Sequence, residues 1–91
     1  MPLQVIKRDS RIEEFDQDKI ARVVTAAGLK PSDGFDLAIR VAKWVQSLDK
    51  PQITTYAIRE KITEELRKIN PTVAQFYNQY EKQKDAETNQ S

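Results

Sequence analysis

The sequence predicts an α+β fold, mostly helical: a four-helix bundle capped by a small three-stranded β-sheet that includes an N-terminal β-hairpin. Three observations predict it. Apolar residues recur at helical spacing in four stretches separated by turn or cap residues. Two short runs of β-branched, aromatic and charged residues flank Asp9-Ser10, as in a tight hairpin. A further extended piece around Ile53 is long enough only for one short strand beside that hairpin.

Val5, Ile6, Lys7 and Arg8 form the first run and Ile12, Glu13, Glu14 and Phe15 the second, with Val5 and Lys7 on one face by alternation. The turn lacks the glycine that a two-residue type I′ turn favours, so either the loop is longer or Ser10 adopts a left-handed conformation at about 1 kcal/mol. Asp16 is the expected N-cap of helix 1, whose stripe is Ile20, Val23, Val24 and Ala27 and whose stop is Gly28. Lys30-Pro31-Ser32-Asp33-Gly34 is a turn cluster in which Ser32 or Asp33 can cap helix 2. That helix presents Leu37, Ala38, Val41, Ala42, Val45 and Leu48, with Trp44 on its flank. Asp49-Lys50-Pro51 breaks it, and Thr54 or Thr55 caps helix 3, with its stripe of Ile58, Ile62, Leu66 and Ile69. Asn70-Pro71 starts helix 4, carrying Val73, Phe76, Tyr77 and Tyr80. Residues 1–84 are thus one expected domain, and 85–91, nearly without apolar content, an expected disordered tail or linker.

Composition narrows the function. Ninety-one residues support one modest core, burying about 60% of the unfolded surface. With no cysteine and no histidine, disulfides, thiolate zinc sites and histidine-based triads are excluded. Fifteen basic residues against fourteen acidic leave +1, too balanced for affinity built on many nucleic-acid phosphates. No apolar run spans a membrane and the start M-P-L-Q lacks the regions of a signal peptide, so the expected location is the cytoplasm, with no membrane and no nucleic acid among the partners.

The stretch Val5 to Ile20 carries the chemistry. Lys7 and Arg8 can meet phosphate oxygens, although such a pair on a hairpin is more often simply solvated. Lys19, in the first turn of helix 1, opposes the helix dipole, a conflict that a bound anion relieves. Glu13 and Asp16 can accept hydrogen bonds from a base or ribose, set against plain surface and capping roles. Val5, Phe15 and Ile20 can be both core and the apolar slot for a ring. Thr55 and Arg59 lie four apart near the start of helix 3, where free N–H groups attract anions, with a plain cap as the blander role of Thr55. The Phe76, Tyr77 and Tyr80 cluster reads as core and rim packing. Neither glycine stands in a phosphate-loop frame, and no catalytic constellation appears.

The run V-x-K-R-D-x-x-x-E-x-F-D-x-x-K-I, the T-T-x-x-I-R segment opening a helix and the closing V-A-x-x-Y-x-x-Y-x-x-x-K resemble the ATP-cone, the regulatory nucleotide-binding module of ribonucleotide reductases, over residues 5 to 84. The resemblance implies three short strands on four helices and an allosteric ligand, ATP or dATP, with Mg2+ able to accompany the phosphates and no metal held by protein side chains. Occupancy would change oligomeric state, and the implied partners are reductase subunits and further copies of the chain. Val5, Phe15 and Ile20 would line the base pocket, and Glu13 and Asp16 would contact the base. Lys7, Arg8, Lys19 and Arg59 would take phosphates or ribose, with Thr55 beside them and Lys84 closing from helix 4. Ser10 stands where the family usually has Gly, and Arg59 where His or Gln is common, an added positive charge. The module also occurs behind a four-cysteine zinc ribbon in a transcriptional repressor. Without cysteine that half is expected to be missing, as are the radical cysteines of the enzyme, so the resemblance implies a non-catalytic reductase regulatory domain. The competing readings are a helical protein-interaction module without nucleotide, a fragment of a nucleotide-sensing transcriptional regulator, and a nucleic-acid binder using Lys7, Arg8 and Arg11.

Overall fold

The computed structural model describes residues 3–7 and 9–90, with side chains as far as residue 83. Arg8 and the side chain of Lys84, both expected at the site, lie outside the described residues. The element order is β1 (Gln4–Ile6), β2 (Ile12–Glu14), α1 (Gln17–Ala26), α2 (Pro31–Ser47), β3 (Gln52–Thr54), α3 (Thr55–Ile69) and α4 (Pro71–Gln90). The expected α+β architecture is what the chain adopts.

The strand order is β2-β1-β3. β1 pairs antiparallel with β2, Val5 facing Glu13, and parallel with β3, Val5 facing Ile53. Central Val5 and edge Ile53 both point into the core. The hairpin closes with Lys7 N–H donating to the Arg11 carbonyl and Ser10 N–H to the Lys7 carbonyl, and Ser10 has φ 72°. Both expectations for the turn therefore hold together: a three-residue loop whose last residue is left-handed.

α1 ends in a Schellman arrangement, Leu29 N–H donating to the Val24 carbonyl and Gly28 N–H to the Thr25 carbonyl, with Gly28 at φ 119°. α2 begins one residue before the expected caps. Pro31 occupies its first turn, Lys30 precedes it without a side-chain cap, and Ser32 and Asp33 lie inside the helix. Proline pre-sets the helical φ and has no N–H to satisfy, so a hydroxyl or carboxylate cap is dispensable there. Gly34 lets α2 approach α1: a Cβ would stand 2.8 Å from Thr25 Oγ1 and 3.3 Å from the Ala21 carbonyl oxygen.

The core is built from fully buried Val24, Leu37, Val41 and Leu66. α4 departs from its expected stripe. Val73, Ala74 and Tyr77 are buried, whereas Phe76 and Tyr80 face outward, as does Ile69 at the end of α3. The Asn70 carboxamide fixes the phase of α4 by accepting from Thr72 N–H and Val73 N–H. Replacing Asn70 by alanine is expected to cost about 1 kcal/mol, seen as a melting midpoint lower by about 4–8 °C. The backbone of α4 is helical to Gln90, across residues whose composition predicts a disordered tail. Lacking apolar residues denies a segment a core, yet Ala, Glu and Gln still extend a helix that packing has already started.

Candidate functional site

β1, β2 and the starts of α1 and α3 surround a cleft of about 820 Å³, floored by α3 and α4. That volume lies in the usual range of small-molecule sites. Val5, Lys7, Glu13, Phe15, Asp16, Lys19, Ile20, Thr55 and Arg59 all line it, so every expected site residue with a described side chain is brought together.

The polar groups at the mouth form a chain. Glu13 Oε2 lies 3.3 Å from Lys7 Nζ, and Glu13 Oε1 lies 3.7 Å from Lys19 Nζ. Glu13 thereby relieves the conflict between Lys19 and the dipole of α1. These side chains are 36–46% exposed, and pairs this wet contribute only about 0–1 kcal/mol. A polyphosphate can therefore take both lysines from Glu13 at little cost.

Asp16 caps α1 by accepting from Lys19 N–H at 3.2 Å, and its other oxygen lies 3.8 Å from Arg22 Nη2. At α3 the cap is Thr54, which accepts from Ala57 N–H, and Thr55 is the first helical residue. The Thr55 hydroxyl instead donates to the Ile6 carbonyl at 3.3 Å, tying the hairpin to α3. Two helix N-termini thus open on one cleft, and both dipoles favour an anion there. At the loop tip the Arg11 guanidinium lies 2.6 Å from Asp9, and the Arg11 backbone N–H foremost holds the Asp9 carboxyl below its usual range.

The floor adds two groups that the sequence does not assign to the site, Glu81 and Tyr77, beside the expected Arg59. Arg59 Nε lies 3.1 Å from Glu81 Oε2, with side chains only 23% and 11% exposed. Tyr77, one turn before Glu81, is buried and lines the same cleft. Burial first, then the neighbouring Glu81 carboxylate, pushes its phenol well above the usual range and keeps it a protonated donor. Tyr77 is thus both core and site. The signal lay in the sequence: Tyr77 and Glu81 are four apart and share one face of a helix. Ile58 and Ile62 also serve core and cleft together.

A smaller cavity of about 430 Å³ lies beside Trp44, Lys61 and Asn78. Lys61 Nζ stands 5.5 Å from the Trp44 ring centroid and 3.4 Å from buried Glu65, so its charge is already engaged. Among the described residues no three potential His, Cys, Asp or Glu ligands cluster for a metal, and no helix is long and apolar enough to cross a membrane.

Comparison with known proteins places the chain in a family. The profile of the ATP cone domain matches residues 3–86. Curated relatives include the transcriptional repressor NrdR of Lactococcus lactis subsp. cremoris, strains MG1363 and SK11, and of Lactococcus lactis subsp. lactis, strain IL1403. Each is 32% identical over 90 residues, covering 93% of this chain and 61% of the relative. The chain therefore spans about three fifths of the length of the curated relatives it matches. These relatives overturn two expectations about partners, the exclusion of nucleic acid and the assignment to reductase subunits: they are repressors of transcription. The physical reason is that a net charge of +1 describes these 91 residues alone. It says nothing of the remaining length that the relatives carry.

Proposed function

Because the chain belongs to the ATP cone domain family, we propose that it is a non-catalytic regulatory module binding ATP or dATP in the cleft between the hairpin, α1, α3 and α4. The observation that carries this is the convergence of Lys7, Lys19 and Arg59 with the apolar wall of Val5, Phe15 and Ile20 around one cavity. Cations and an apolar slot in one cavity suit a nucleoside polyphosphate, whose two halves need those two environments. The ring lies against Val5, Phe15 and Ile20, Glu13 and Asp16 accept from the base or sugar, and the phosphates take Lys7, Lys19 and Arg59. Arg8 and Lys84 complete the set of residues assigned to the phosphates. Any Mg2+ enters with the phosphates. Occupancy is read out as a change in self-association.

A second reading concerns what the sensor serves. The repressor relatives favour a nucleotide-sensing transcriptional regulator acting in the cytoplasm. Its mark is DNA affinity that changes with the nucleotide bound and falls steeply with salt.

The test is ligand linkage. At about 100 times Kd, ATP or dATP stabilises the fold by about 2.7 kcal/mol. The melting midpoint then rises by roughly 10–20 °C, at about 4–8 °C per kcal/mol. A flat melting curve in millimolar ATP and in millimolar dATP refutes the sensor, and molecular mass measured with each nucleotide tests the change in self-association.

A further inference from the structure

A carboxylate is an odd resident for the floor of a cleft that receives phosphate. Glu81 is 8% exposed and lines the cavity, with its Oε2 3.1 Å from Arg59 Nε. The Arg59 guanidinium cannot shed its charge, and burial makes an uncompensated charge costly. Glu81 supplies that compensation in the structure, occupying the position at Arg59 that a phosphate oxygen would take.

We propose that Glu81 is a built-in competitor for the nucleotide: it holds Arg59 while the cleft is empty and is displaced from Arg59 by the polyphosphate. This rests on the nucleotide reading of the same cleft. The exchange has a mechanical consequence, because Arg59 belongs to α3 and Glu81 to α4. One turn further from the cleft the two helices meet through the Thr63 hydroxyl and Asn78 Oδ1, 3.3 Å apart. Beyond that, buried Leu66, Val73 and Ala74 hold the pair next to the short connection at Asn70. The α3–α4 contact therefore carries its polar pairs toward the cleft end, among buried Ile58, Ile62 and Tyr77, and is wholly apolar at its connected end. Taking Arg59 away from Glu81 removes a pair at the end far from the connection, so α4 shifts most there, and the exposed faces of Phe76 and Tyr80 move with it. Released Glu81 stays beside Tyr77, a protonated donor one turn away on the same helix.

The experiment titrates wild type, Glu81→Gln, Arg59→Gln and the double variant with ATP and with inorganic tripolyphosphate by calorimetry, after melting curves establish that each is folded. Glutamine keeps the shape of Glu81 and removes the competing charge. Glu81→Gln is expected to bind tripolyphosphate about tenfold tighter than wild type, and the gain should vanish when Arg59 is also glutamine, since Glu81 acts through Arg59. Binding seen only in Glu81→Gln also supports the competition. Wild-type binding that Glu81→Gln leaves unchanged or weakens overturns this inference alone. A gain that persists without Arg59 overturns it too, because the charge would then act on the site at large. No binding of ATP or tripolyphosphate by any variant overturns the nucleotide reading, and this inference with it.

Discussion

Replacing Lys7 and Lys19 together by alanine is expected to weaken ATP and dATP binding by about 10²–10⁴-fold. Each charge-assisted contact to a phosphate contributes roughly 1.5–3 kcal/mol, so two amount to about 3–6 kcal/mol. The fold itself should hardly notice. The contacts these lysines make with Glu13 are solvent-exposed pairs, and losing them costs about 1 kcal/mol or less. Calorimetric titration beside far-ultraviolet circular dichroism separates the two effects: helicity stays and the nucleotide response goes. Undiminished binding in the double variant would show that the phosphates lie elsewhere.

Leu66→Ala should do the opposite. Leu66 is fully buried where α3 meets the rest of the core, and truncating such a leucine costs about 2–5 kcal/mol through lost burial and the cavity left behind. At about 4–8 °C per kcal/mol the midpoint falls by roughly 8–40 °C. A small domain has only about 0.05–0.15 kcal/mol per residue in reserve, so much of the chain would unfold near body temperature. Below its midpoint the variant should still respond to ATP, since Leu66 does not line the cleft. A midpoint within a few degrees of wild type would mean that the surroundings of Leu66 collapse to fill the gap.

Much of the fold is legible in the sequence because its cues are local. The 3.6-residue spacing of Leu37, Val41 and Val45, the glycine at 28 and the Asn70-Pro71 pair each specify backbone through neighbours a few residues away. Where such cues compete, they mislead. Ser32 and Asp33 look like caps, but Pro31 starts the helix ahead of them. In α4, apolar residues at 73, 76, 77 and 80 suggest one stripe, while the structure buries Ala74 and Glu81 in line with Tyr77 and turns Phe76 and Tyr80 out. Counting apolar residues cannot find a buried carboxylate whose partner, Arg59, comes from another helix. The lining of the candidate cleft is legible to the same degree. The hairpin and the start of α1 are contiguous and announce themselves, and Thr55 and Arg59 follow from their position at a helix start. The floor from α4 depends on a packing arrangement that no local pattern encodes.

The parallel pairing of β1 with β3 also dictates when the cleft can come into being. Residues 4–6 must wait for residues 52–54, a closure across 48 positions sealed by the Gln52 carboxamide donating to Gln4 Oε1. Helices α1 and α2 lie wholly within that interval and can form and pack on each other first, whereas the central strand has only its hairpin partner until α2 is complete. As the chain leaves the ribosome the hairpin emerges before its parallel partner and docks late, after β3 and the start of α3 have been made. The first strand of this domain to be synthesised is thus among the last to find its place, and a chain halted before β3 and α3 has no cleft.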